Sequence, residues 1–98
     1  MRRMFYKFYG IIANIDQLKE ECSELIAACN EYKYTLVSGY LISCSKKKAF
    51  ENLIEAIADV ENYLIAIKDR LGIDQAQIDK IIKEKDDLIE KIIEESKG

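Results

Sequence analysis

The chain has no proline, no histidine and no tryptophan, and only four glycines in 98 residues. Without proline and with so little glycine it lacks the turn chemistry of a β-sandwich or barrel. The absence of histidine removes the usual Ser-His and Cys-His nucleophile systems. It also leaves too few soft ligands for a structural zinc site, since Cys22, Cys29 and Cys44 are the only cysteines. Three cysteines with no disulfide pattern read as small core residues in a reducing cytoplasm. No apolar run is long enough to span a bilayer. The start, Met1-Arg2-Arg3-Met4-Phe5, is basic, but Tyr6, Lys7 and Tyr9 interrupt any signal-peptide core. Nor is there a basic surplus: 15 Lys plus Arg against 18 Asp plus Glu give a net charge of −3. That excludes a general nucleic-acid binder.

What is present favours helices. The composition is 49% hydrophobic and 34% charged, rich in Ile, Leu, Glu, Lys and Ala, with no strict alternation. Residues 1–98 form one all-α domain, expected as a bundle of three long helices with a short N-terminal segment. The first helix is expected from Ile11 to Tyr34, with Ile15, Leu18, Cys22, Leu25, Cys29 and Tyr32 in one apolar stripe. Gly10 marks its beginning, and the aromatic segment before it is expected to pack on the bundle. The second runs from Ser45, a natural N-cap, to Leu71, with Gly72 placed to end it. Its stripe is Phe50, Leu53, Ile54, Ile57, Val60, Leu64, Ile67 and Leu71. The third follows the N-cap Asp74 and reaches Ser96. The connection from Thr35 to Cys44 has no clear period; a loop packed partly on the core is expected, with a frayed helix or a short extended segment as the alternatives. A chain this short buries only about two thirds of its unfolded surface, so self-association is expected.

The polar faces carry the chemistry. Gln17, Glu21, Glu24 and Ala28 follow at steps of four, three and four and share a face of the first helix. Glu55, Asp59 and Asn62 line up in the same way on the second, with Tyr63 beside them. Two helices that each present two carboxylates can surround a hard divalent cation with oxygen ligands. Solvated surface is the alternative for both rows. Lys46, Lys47 and Lys48 place positive charge at a helix start, against the dipole.

The words around these carboxylates add to the pattern. The run Gln17-Leu18-Lys19-Glu20-Glu21-Cys22-Ser23-Glu24-Leu25-Ile26-Ala27-Ala28 resembles the first motif of the MazG-like all-α nucleoside triphosphate pyrophosphohydrolases. There a Glu-x-x-Glu pair sits in a Q-L-x-x-E-E-x-x-E-L-x-x-A context. The run Glu51-Asn52-Leu53-Ile54-Glu55-Ala56-Ile57-Ala58-Asp59-Val60, continuing to Tyr63-Leu64, resembles the second motif, usually E-N-L-x-E-E-x-A-D-V. Leu71-Gly72-Ile73-Asp74 and a closing charged helix also resemble shorter members, so the likeness spans roughly residues 9 to 90.

The resemblance implies Mg²⁺, or Mn²⁺, held by Glu21, Glu24 and Asp59, and hydrolysis of a nucleoside triphosphate to a monophosphate and pyrophosphate. It implies a phosphate tail met by Lys48, Lys83 or Lys85, and base or sugar contacts from Gln17, Asn62 and Tyr63. It implies a homo-oligomer, a dimer or tetramer, with sites near subunit contacts. One position departs: the second pair of the family is Glu-x-x-Asp, and its Glu falls on Ala56 here. Glu55 is one residue earlier, about 100° around the helix. A variant that uses Glu55, a nucleotide-binding relative without turnover and a substrate-trapping substitution are three readings of that alanine. A plain helical oligomerisation domain is the reading outside the family.

Overall fold

The computed structural model describes residues 2–37 and 45–97, the first eight of them by their backbone course. It is all-helical: α1 spans Arg2–Val37, α2 spans Lys46–Leu71 and α3 spans Gln75–Lys97, with no strand among the described residues. α1 is longer than expected at both ends. It continues past Gly10, where φ 71° and ψ 169° break the helical course. That backbone conformation is open only to glycine without strain, so Gly10 is a kink between two helical segments, and the second of them starts where the sequence placed it. At the other end Thr35 to Val37 are helical; the rest of the expected loop, 38–44, and with it Cys44, lies outside the described residues. The side chains of the aromatic segment lie outside them too.

The expected caps are in place. Ser45 Oγ accepts the Lys48 backbone N–H at 3.2 Å and opens α2. Gly72, at φ 67°, closes it: its N–H reaches the Asp69 carbonyl, and the Ile73 N–H reaches the Lys68 carbonyl at 2.9 Å. This paired return is the Schellman arrangement, which a left-handed glycine makes without strain. Two residues later Asp74 caps α3. Its carboxylate accepts the Ala76 N–H at 3.4 Å, while the Gln77 side chain takes the Asp74 N–H at 2.7 Å.

α1 and α2 form an antiparallel hairpin, and α3 packs on neither of them. The packing face of the hairpin is mixed rather than purely apolar. Ala49, Ala56 and Ala66 are the buried hydrophobic residues, with Asn14 and Thr35 buried beside them. Small side chains let the two backbones approach, and the helices meet along the face that carries the acidic rows. The apolar stripes are only partly covered: Leu18, Leu25, Tyr32, Leu53, Val60 and Ile67 are half-buried, while Ile15, Ile54, Ile57 and Leu64 are exposed. The cysteines follow the same correction, for Cys22 is only half-buried and Cys29 is exposed, both as free thiols. At the connecting end the Tyr32 and Phe50 rings meet across the hairpin with centroids 5.7 Å apart.

Asn14 is fully buried, and neither atom of its amide has a hydrogen-bond partner among the described residues. An unsatisfied buried amide costs about 1–3 kcal/mol. Asn14→Leu, of similar size and without that cost, is therefore expected to stabilise the fold by about 1–3 kcal/mol. Urea unfolding of the two proteins measures it; a destabilised variant would show that the amide is hydrogen-bonded in solution.

Candidate functional site

The carboxylates converge where the two helices face each other. Glu21 and Glu24 lie one turn apart on α1, and the antiparallel register brings Asp59 of α2 opposite them. One oxygen from each of the three lies within 4.8 Å of the other two. Gln17, one turn before Glu21, donates from Nε2 to Glu21 Oε1 at 3.1 Å and fixes that carboxylate. The other oxygen, Glu21 Oε2, is buried without a hydrogen-bond partner.

Beside the cluster runs an open groove of about 270 Å³ lined by Glu24, Ala27, Ala28, Glu31, Asn52, Glu55, Ala56 and Asp59. Alanines at 27, 28 and 56 make the space, and acidic side chains give it its sign. Glu55 stands on the wall but outside the trio that converges. Ala56, only 8% exposed, sits against α1 at the floor. Two lining residues were not singled out by the sequence, Glu31 and Asn52, which join across the hairpin through Asn52 Nδ2 to Glu31 Oε1 at 3.5 Å. Continuing the α1 spacing one more step, from Ala28 to Glu31, would have found the first of them.

Among the described residues no lysine or arginine pairs with Glu21, Glu24 or Asp59, while Lys83–Asp87 and Lys97–Glu94 pair on α3. The carboxyl of Glu24 is raised above its ordinary value by a hydrogen bond with Glu21, then by the charge of Glu21, with burial, Glu20 and Asp59 adding to it. That of Asp59 is raised by burial first, then by Glu21 and Glu55. Both groups hold their protons more tightly than they would in an unfolded chain. A raised folded pKa contributes stability below the ordinary carboxylate value and loses it as pH rises through the raised value. Metal-free protein is thus expected to lose stability as pH climbs out of the carboxylate range towards neutrality. Glu24→Gln should flatten that slope. Urea midpoints across a pH series read it, and an identical slope in the variant would discount the crowding.

Other residues singled out by the sequence lie further off. Asn62 is exposed and Tyr63 half-buried, one turn along α2 from Asp59. Lys48 is exposed in the first turn of α2, while Lys46 and Lys47 line a second, more open pocket with Tyr32 and Phe50. Lys83 pairs with Asp87 at 2.8 Å, and this partner raises its pKa. Lys83 and Lys85 belong to α3, which does not approach the cluster within one chain.

Three like-charged carboxylates pressed together with no counter-charge are stabilised by a proton or a cation. The donor set is oxygen only, which suits a hard divalent ion such as Mg²⁺ or Mn²⁺. Compared with protein-family models, with curated proteins and with solved structures, the chain matches none. No helix among the described residues is long and apolar enough to cross a membrane.

Proposed function

We propose that this protein is a divalent-cation-dependent nucleoside triphosphate pyrophosphohydrolase of the MazG-like kind. Its products are a nucleoside monophosphate and pyrophosphate. The observation that carries the reading is the convergence of Glu21, Glu24 and Asp59 within 4.8 Å, because these are the residues the two motifs select. The buried, unpartnered Oε2 of Glu21 fits a cation in the same place.

In this reading Glu21, Glu24 and Asp59 hold the ion. When bound, Mg²⁺ supplies neutralisation of the triphosphate and a more acidic water. Gln17 holds Glu21 in one orientation, which leaves its second oxygen free. Glu55, on the groove wall, is positioned to accept a proton from water. The free thiols Cys22 and Cys29 suit a reducing cytoplasm. The exposed Ile12, Ile15, Ile26, Ile54 and Ile57 of the hairpin support a homo-oligomer, a dimer or tetramer of closed symmetry.

A second reading, nucleotide binding without turnover, is favoured by one observation: at the position where the family keeps a ligand the groove floor is Ala56. Chromatography of nucleoside triphosphates incubated with the protein and Mg²⁺ tests both. Monophosphate and pyrophosphate that stop appearing on chelation support the enzyme. A magnesium-dependent thermal shift with a nucleotide but no product supports the binding module. Neither response would leave a helical oligomerisation domain.

A further inference from the structure

The third helix has no packing partner among the described residues. α3 is 23 residues long, about 35 Å, with no buried residue and no packing against α1 or α2. Ile81, Ile82, Leu88, Ile89, Ile92 and Ile93 are between 48% and 56% exposed. At 100° per residue these six and the half-buried Ile78 span an arc of about 140°. Lys85 stands near its middle. A helix in water draws most of its stability from packing such a face, so the stripe calls for a surface to cover it.

The pattern itself selects the cover. About Lys85 the apolar spacing reads the same in both directions at six of the seven stripe positions, Ile93 alone having a polar counterpart in Gln77. Ile82 and Leu88 lie three residues away on either side, Ile81 and Ile89 four, Ile78 and Ile92 seven. Two copies laid antiparallel with their Lys85 residues together bring each apolar block onto its counterpart. Charge points the same way. Lys85 itself lies on the axis, and in the first half Lys80 and Lys83 balance Asp79 and Glu84. In the second half Asp86, Asp87, Glu90, Glu94 and Glu95 outnumber Lys91 and Lys97. Antiparallel pairing sets the neutral half against the acidic half, whereas parallel pairing sets the two acidic halves against each other. The single lysine in the seam fixes the register. On the axis its stem covers apolar surface while its head reaches Glu84 or Asp86 of the second copy.

We propose that α3 is a self-docking helix, which pairs antiparallel with α3 of a second copy of this chain across a two-fold axis at Lys85. The proposal is independent of the carboxylate cluster.

Disulfide trapping in the full-length chain tests it, on a background with Cys22, Cys29 and Cys44 changed to Ala. Lys85→Cys is expected to cross-link to itself under mild oxidation. Ile78→Cys and Ile92→Cys are expected to cross-link with each other after subunit exchange, and neither with itself. Like positions would be about 21 Å apart in the antiparallel pair, beyond the reach of roughly 7 Å between Cα atoms that a disulfide allows. Self-cross-linking of Ile78→Cys would mean parallel pairing and overturn the proposal. So would a dimer in which none of the three cross-links, because α3 would then be docked on the hairpin, and so would a monomer mass in light scattering. Lys85→Ile, which keeps the helix and extends the stripe, is expected to lower the dissociation constant at least tenfold in sedimentation. Unchanged association would remove Lys85 from the axis.

Discussion

Ala56→Glu should raise the rate of pyrophosphate release by about two to three decades, the usual cost of one missing electrostatic partner of a developing charge. Ala56 lines the same groove as Glu24 and Asp59, and Ala27 and Ala28 on the facing wall leave room for a longer side chain. A Glu at 56 would be a fourth carboxylate at the floor, nearer to the cluster than Glu55, which is displaced by about 100° around α2. The same change should cost stability when no cation is present, because a buried carboxylate without a counter-charge is unfavourable. Rate and metal-free melting temperature are therefore expected to move in opposite senses. Equal rates for the two proteins would mean either that Glu55 already serves or that the groove is not catalytic. Glu55→Ala in the present chain separates these, since only in the first case does its activity vanish.

The helices and their caps were legible because they are local. Ser45, Gly72 and Asp74 each act on backbone groups within five residues, so spacing alone places them. The acidic face was legible for the same reason: steps of four and three from Gln17 to Ala28 need only the helical period. The side on which the hairpin closes was not. The periodicity marks Ile15, Leu18 and Leu25 as a stripe, and a stripe is ordinarily read as the interior of its own chain. Here Leu18 and Leu25 are only half-buried, full burial goes to Ala49, Ala56 and Ala66 with the carboxylates beside them, and Ile15, Ile54 and Ile57 are left outside. A chain that covers its large apolar residues with another copy shows the same period as one that covers them with itself. The kink at Gly10 was hidden differently. Glycine marks the end of a regular helical course without saying whether a second helix lies on its far side, and at Gly10, with φ 71°, one does.

Mg²⁺ or Mn²⁺ should raise the melting temperature in proportion to the logarithm of its concentration, and either Glu24→Ala or Asp59→Ala should abolish that rise. A ligand at a hundred times its dissociation constant stabilises the native state by about 2.7 kcal/mol. In a domain of this length that corresponds to roughly 10–20 °C. The two variants should differ from the parent in a second way. Each removes one of three crowded carboxylates, and like charges facing each other destabilise, so both should melt higher than the parent in the absence of metal. A surface carboxylate with no such neighbours would change neither quantity. Gln17→Ala offers a graded control, because it frees Glu21 without removing a ligand; its metal response should weaken and persist. Differential scanning fluorimetry over a metal titration, with a chelator as the zero point, measures all four proteins. An unchanged metal response in both Glu24→Ala and Asp59→Ala would remove these residues from any cation site, and with them the observation on which the proposed activity rests.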